Sequence, residues 1–87
     1  MYAVRVNVKD KVNDQNSYTT SIGRYITITK VIRNIISYVE LHEHIKQTDE
    51  NIINLGKFLT EGFWFTGTKR PTFRFENKDY NFIVEDE

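Results

Sequence analysis

The spacing of hydrophobic residues changes twice along this chain of 87 residues. From Tyr2 to Lys9, apolar residues alternate with small or polar ones, which is typical of a strand with one buried face. From residue 31 to 59 the apolar residues recur every three or four positions, as they do on one side of an α-helix. After residue 62 the alternation returns. The chain is therefore predicted to place strands on both sides of a helical middle.

The helical middle is predicted to form two helices. The first covers about residues 30–46, and Thr29 is a candidate for its N-cap. The second covers about residues 49–61, where Thr48 or Asp49 suits the N-cap and Gly62 stands where a helix-ending glycine is expected.

The remaining segments complete an α+β domain. A short second strand is predicted at Gly23–Thr29, and three more are predicted at 63–66, 72–76 and 80–84, with turns at 67–71 and 76–79. The element order ββααβββ indicates a small antiparallel sheet of about four to five strands with two helices packed on one face. Residues 1–87 are expected to form a single domain, in which 10–21 is an exposed loop and 85–87 an acidic tail.

Aromatic residues are concentrated in the C-terminal third, where seven of the twelve lie between residues 63 and 82. Because successive strand residues face opposite sides of a sheet, most of these rings can share the buried side. The alternation assigns to the core Phe63, Phe65, Phe73, Phe75, Tyr80 and Phe82. Trp64 and Arg74 are left on the outward side.

The outward positions predict a basic and aromatic binding face. Its candidate binding residues are Trp64, Arg74 and Arg5, with Lys9 beside them and Lys69 and Arg70 at the rim. Tryptophan and arginine often dominate protein interfaces. Cations combined with an aromatic ring are also the surface that binds single-stranded nucleic acid. An ordinary solvated sheet face is the third interpretation of the same residues.

Residues suited to catalysis or metal binding are sparse. The chain has no cysteine, and its two histidines are close together at His42 and His44. On a helix these two point about 200° apart, and Glu40 with His44 supplies only two ligands where zinc takes three or four. We therefore expect no catalytic residues, no metal and no cofactor. A small metal-dependent enzyme at the His42/His44 end is the weakest of the alternatives.

Charge and hydropathy limit the function classes further. Twelve cations balance twelve anions, which argues against a protein whose whole surface binds nucleic acid. The charges are unevenly distributed, so a local basic face is still compatible with the sequence. The N-terminus lacks the apolar core of a signal peptide, and no apolar run approaches the ~20 residues that span a bilayer. A cytoplasmic protein without membrane contact is expected.

These observations predict a non-catalytic binding protein. Ile, Asn and Lys supply 25 of the 87 residues, a bias common in AT-rich genomes. By type, the chain resembles the small accessory proteins of phages and mobile elements. Such proteins often inhibit a host protein by covering a functional surface, as anti-defence and anti-CRISPR proteins do. The expected partner is a larger host protein or a protein–nucleic-acid complex. The alternative is a nucleic-acid-binding module that uses the same face.

A homodimer is also compatible with the sequence. A chain this short has a thin core, and an unpaired edge at the first or last strand would offer a place for a second copy.

Overall fold

The computed structural model describes residues 1–62 and 68–87. Its strands are β1 (Tyr2–Asp10), β2 (Tyr18–Tyr25), β3 (Thr72–Phe75) and β4 (Lys78–Asp86), and its helices are α1 (Ile28–Glu43) and α2 (Glu50–Gly62). The order ββααββ confirms the predicted α+β class with an antiparallel sheet and two helices. The strand predicted at 63–66 lies outside the described residues.

The first and last strands lie in the middle of the sheet. The strand order is β2-β1-β4-β3, and all three pairings are antiparallel. β1 and β4 pair along their whole length, from Tyr2 opposite Asp86 to Asp10 opposite Lys78. The expectation of an edge at the first or last strand is therefore wrong, because within the described residues the edges are β2 and β3. Both central strands bury every second side chain, which explains why apolar and polar residues alternate so clearly in their sequences.

Both helices cover the same face of the sheet and form the core with it. α1 contributes Val31, Ile35 and Val39, and α2 contributes Ile52, Leu55 and Leu59. From the sheet come Val4, Val6, Val8, Phe73, Tyr80, Phe82 and Val84. Half-buried Phe75 stacks on Phe73 with ring centroids 6.1 Å apart. The inward assignment of the aromatic residues on β3 and β4 is confirmed.

The second strand begins earlier than predicted. β2 runs from Tyr18 to Tyr25, so the predicted loop 10–21 is shorter and the predicted strand Gly23–Thr29 is displaced. The first four residues of β2 are exposed on both faces, and they therefore lack the apolar alternation that marks a half-buried strand. Asp10 belongs to β1, and a turn of 3-10 helix at Asp14–Asn16 joins the two strands.

The helix ends are set by local hydrogen bonds. Thr27, not Thr29, caps α1, because its Oγ1 accepts the backbone N–H of Lys30 at 3.3 Å. α1 ends three residues early because His44 adopts a left-handed conformation with φ 53°. At α2, Asp49 Oδ1 accepts the backbone N–H of Asn51 at 2.8 Å, so the predicted cap at Asp49 is confirmed. Gly62 is the last residue of the helix rather than the residue after it.

The C-terminal hairpin is longer and tighter than predicted. A two-residue turn, Glu76-Asn77, replaces the predicted turn 76–79, and β4 continues to Asp86. The predicted acidic tail 85–87 is therefore mostly strand, since Glu85 pairs with Ala3. The predicted turn at 67–71 is also wrong in its described part. Lys69 exchanges two backbone hydrogen bonds of 2.8 Å with Val84, so this segment runs beside β4.

Neither of the two helices is long and apolar enough to cross a membrane, within the part of the chain that the structure describes.

Candidate binding face

The sheet face opposite the helices forms a broad polar surface, which we call the open face. Strand alternation assigns to it Ala3, Arg5, Asn7, Lys9, Thr19, Ser21, Arg24, Thr72, Arg74, Asp79, Asn81, Ile83 and Glu85. Its positions on β1 and β2 are exposed apart from half-buried Ala3, and those on β4 are half-buried. The described helices pack only against the other face. The open face is therefore a surface that the described helices leave uncovered for a partner.

A row of short polar side chains crosses the middle of the open face. The register places Thr19, Asn7, Asn81 and Thr72 side by side on the four strands. Asn7 Nδ2 donates to Thr19 Oγ1 at 2.8 Å, and Thr72 Oγ1 donates to Asn81 Oδ1 at 3.1 Å. The bonds orient two side-chain amides while leaving donors and acceptors for a ligand. We call this set the amide row.

Cations lie on both sides of the amide row. Arg5 is two residues from Asn7 along β1 in one direction, and Lys9 is two residues away in the other. At the strand rise of ~3.3 Å per residue, Arg5 and Lys9 are about 13 Å apart along the strand. On β3, Arg74 occupies the same side as Lys9, with an exposed side chain. The open face thus presents a hydrogen-bonding row between two cationic borders.

Carboxylates balance part of this charge. Arg5 Nη2 lies 2.6 Å from Glu85 Oε1, and Arg24 Nη2 lies 2.8 Å from Glu87 Oε2. Asp79 is shared, because its Oδ1 lies 3.4 Å from Lys11 Nζ and 4.0 Å from Arg74 Nε. Solvent screens the half-exposed pairs Arg5–Glu85 and Arg24–Glu87, so each contributes little to stability and can be rearranged by a partner.

The predicted binding residues are only partly brought together. Arg5 and Arg74 lie on the open face, as expected. The register of β3 places Arg70 opposite Ile83, at the outer edge of this face, and Arg70 also lines a small cleft against α2. Lys69 lies opposite core residue Val84 and is therefore on the helix side, not at the rim of the open face. Trp64 lies outside the described residues.

The histidine pair is used locally at the end of α1. His42 stacks on Tyr38 with centroids 3.9 Å apart, and its Nδ1 lies 2.9 Å from the Tyr38 carbonyl oxygen. His44 forms the C-cap, where its backbone N–H bonds to the Glu40 carbonyl. Within residues 1–62 and 68–87, no group of three or more His, Asp or Glu side chains could hold a metal ion. These contacts give the hypothesis of a metal-dependent enzyme no support.

Two tyrosine hydroxyls lie on the helix side, away from the open face. The Tyr80 hydroxyl donates to Glu43 Oε1, and Lys78 Nζ lies 3.9 Å from the same oxygen. Burial raises the pKa of Tyr80, and the bond to Glu43 raises it further. Burial also raises the pKa of Tyr38, whose hydroxyl is 2.7 Å from that of Tyr18. Both phenols therefore stay neutral and join α1 to the sheet.

The amide row was not identified from the sequence. Asn7 and Asn81 occupy outward positions of alternating strands, which was a usable signal. Thr19 was assigned to a loop, and the lateral order of the strands was unknown. Only the register brings the four residues into one row.

Comparison with known proteins finds no matching family model and no significant match among curated proteins or solved structures.

Proposed function

We propose that this chain is a non-catalytic binding protein whose open face covers a surface of a larger protein. The observation that carries the proposal is the amide row with cations on both sides, on the sheet face that the described helices leave uncovered. Oriented amides can bond to backbone and side-chain groups of a folded partner, and arginines at the borders can pair with its carboxylates.

Charge and ring content favour a protein partner over nucleic acid. Asp79 and Glu85 lie on the open face itself, where a phosphate backbone would meet them. Within residues 1–62 and 68–87, the strand positions of the open face carry no aromatic ring on which a base could stack. A protein surface can offer cations to these acids and carboxylates to the arginines, so mixed charge suits it better.

The most specific form of the proposal is an accessory protein of a phage or mobile element that inhibits a host protein by covering a functional surface. The bias toward Ile, Asn and Lys supports this form.

A capture experiment with matched charge variants tests the proposal. The tagged protein is incubated with lysate, and stoichiometric partners are identified by mass spectrometry. We expect the open-face double variant R5Q/R74Q to lose the partner. The control R33Q/K57Q removes the same charge from exposed helix positions and should retain it. Capture of no stoichiometric protein, or equal capture by both double variants, would contradict the proposal.

Nucleic-acid binding is the second candidate, and one observation favours it. Lys9 and Arg70 have no carboxylate within 4.0 Å among the described residues, so both cations are available to phosphates. Fluorescence titration with single-stranded RNA and DNA at two salt concentrations separates the candidates. Nucleic-acid binding requires an affinity that falls steeply as salt rises, because bound cations release counterions. A dissociation constant above about 0.1 mM at low salt removes this candidate, because even non-specific nucleic-acid binding is usually at least that tight.

A further inference from the structure

The outer side of β2 is a sheet edge that no described strand covers. Within the described residues β2 has only one neighbour, β1. Residues 18–23 contain no charged side chain and no proline, which are the common devices that prevent a strand from pairing at an edge. A bulge at Ile22, between Ser21 and Gly23, is the one irregularity of β2. The regular part of this edge is therefore short and uncharged.

The hydrogen-bond pattern shows which backbone groups face outward. On β4, the backbone groups of Phe82 and Val84 bond to the segment just before β3. The backbone groups of the residue between them therefore point towards β1. In an antiparallel sheet, successive residues of a strand direct their backbone N–H and C=O groups to opposite neighbouring strands. Even-numbered β1 residues such as Val6 and Val8 therefore direct these groups towards β2. Their partners Thr20 and Tyr18 are then bonded to β1. The N–H and C=O groups of Thr19 and Ser21 are left pointing away from the sheet.

The outward backbone groups of Thr19 and Ser21 can pair with the same groups of a second copy related by a two-fold axis. If Thr20 of one copy lies opposite Thr20 of another, Thr19 of each copy lies opposite Ser21 of the other. Both residues carry outward N–H and C=O groups, so the two pairs form four backbone hydrogen bonds. On the helix side, Tyr18, which is 40% exposed, then meets Ile22 of the other copy. The bulge ends the match after Ile22.

We propose that two copies of this chain associate through β2 in this antiparallel register. The four described strands of each copy then form one sheet of eight, and the two open faces join into one surface with two amide rows. A net charge of zero gives no long-range repulsion between the copies. The contact is small compared with the ~1,200 Å² buried in stable complexes, so the dimer is weak, with a dissociation constant on the order of 0.1–1 mM.

Proline scanning at the edge separates this arrangement from other dimers. Thr19→Pro removes an outward N–H that β1 does not use, so the fold tolerates it while two of the four intermolecular bonds are lost. Thr19→Val is the matched control, because it loses the same side-chain bond to Asn7 but keeps the N–H. In sedimentation equilibrium up to ~1 mM, the range of the expected dissociation constant, we expect self-association of the parent and the valine variant only. Circular dichroism verifies that each variant is folded.

A single engineered cysteine tests the register directly, since the chain has no cysteine of its own. Opposed Thr20 residues form a non-hydrogen-bonded pair with Cα atoms about 4.5 Å apart, which a disulfide can span. Thr20→Cys should therefore form a cross-linked dimer at least ~10-fold faster than Lys57→Cys, an exposed helix position, because pairing raises the effective thiol concentration. Equal cross-linking rates, or a monomer at all concentrations, overturn the proposal. If Thr19→Pro also releases a captured protein from a monomeric chain, the edge pairs with a strand of that protein instead.

Discussion

Tyr80 brings a hydroxyl group into the core where β4 passes the end of α1. Its bond to Glu43 joins residues that are 37 positions apart, and the Glu43 side chain is only 12% exposed. A buried carboxylate needs such partners, because an unpaired buried charge is strongly unfavourable. The pair therefore fixes how the last turn of α1 lies on the sheet.

Removal of the hydroxyl should destabilise the fold. We expect Tyr80→Phe to lower the free energy of unfolding by about 1–3 kcal/mol, because Glu43 then loses a hydrogen bond and keeps Lys78 as its one partner among the described residues. Urea unfolding of the parent, Tyr80→Phe, Glu43→Gln and the double variant measures the coupling. The coupling energy should be about 0.5–3 kcal/mol. Additive effects would show that the two side chains do not interact.

His44 is the second informative single position. Its φ of 53° lies in the left-handed region, where a side chain is unfavourable and glycine is not. We expect His44→Gly to raise the free energy of unfolding by about 0.5–1 kcal/mol. His44→Ala is the control, since it removes the imidazole but keeps a Cβ and should give no comparable gain. Equal stabilisation by both variants would assign the effect to the imidazole instead of the backbone.

The orientation of a single side chain was predictable where it follows the alternation of its strand. Contacts between side chains that are distant in the sequence were not predictable. The inward positions of Phe73, Tyr80 and Phe82 follow from alternation alone. The Tyr80–Glu43 bond depends on where α1 ends over β4, and no local pattern encodes that. His44 was considered as a metal ligand because its role as a helix cap lies in its backbone.

Among the elements, the connection from β1 to β2 depends on one carboxylate. Asp10 Oδ1 accepts the backbone N–H groups of Val12 and Asn13 at 3.0 and 3.1 Å, and Ser17 Oγ accepts the N–H of Asp10 at 3.0 Å. The N–H of Asn13 and then that of Val12 lower the pKa of Asp10 below its usual value of 3.8. The loop is thus ordered by the ionised form of this side chain.

The lowered pKa of Asp10 predicts a stability difference that depends on pH. A carboxyl group with a lowered pKa in the folded state stabilises the fold above its unfolded pKa, and this contribution is lost as pH falls through the folded value. Asp10→Asn should therefore lower the melting temperature most near neutral pH, and the difference should shrink below about pH 4. Asp14→Asn, an exposed change in the same loop, is the control. A difference that does not vary with pH would contradict the assigned role.

The contact between α1 and α2 can be improved at Gly56. A Cβ at this position would lie 3.5 Å from Ile36 Cδ1, which is an ordinary van der Waals distance. Glycine inside a helix is less favourable than alanine by about 0.8–1 kcal/mol, so Gly56→Ala should raise the free energy of unfolding by about that amount. Gly56→Val adds atoms towards Ile36 and should lose the gain. Destabilisation by alanine would mean that α1 and α2 lie too close together for a Cβ at this position.

Element types were more predictable from the sequence than element boundaries. Both helices and three of the strands were predictable from the spacing of their hydrophobic residues, because each of these elements buries one side. The start of β2 could not be found in this way, since Tyr18–Ser21 lies at an edge with both faces in water. The predicted turn 67–71 contains Gly, Lys, Arg and Pro, a composition that favours a loop, although its described part runs beside β4.

In the molecule as a whole, the chain ends meet on the central strands. The backbone N–H of Glu87 bonds to the carbonyl of Met1 at 2.7 Å. A circular permutant that joins residues 87 and 1 through a short linker and opens the chain between Gln47 and Thr48 should fold, because both new ends are exposed. Its circular dichroism and melting should resemble those of the parent. A permutant opened between Val6 and Asn7, inside β1, is the control and should not fold.

The candidate site was predictable as a face but not as an arrangement. The alternation of side chains along a strand correctly places Arg5 and Arg74 on the outward side, because a strand side chain can lie on only one of two faces of the sheet. It cannot order four strands side by side, so the amide row and the pairing of Arg5 with Glu85 came from the structure. Glu85 was expected in a free tail because acidic residues at a chain end usually stay solvated.

The pairing of β1 with β4 also determines when the protein can fold during its synthesis. β1 leaves the ribosome first, but it has no central neighbour until residues 78–86 have been made. The two helices are complete earlier, yet their apolar sides pack against those same strands. Translation must therefore pass Asp86 before the core can close, and the nascent chain exposes its valine-rich first strand until then.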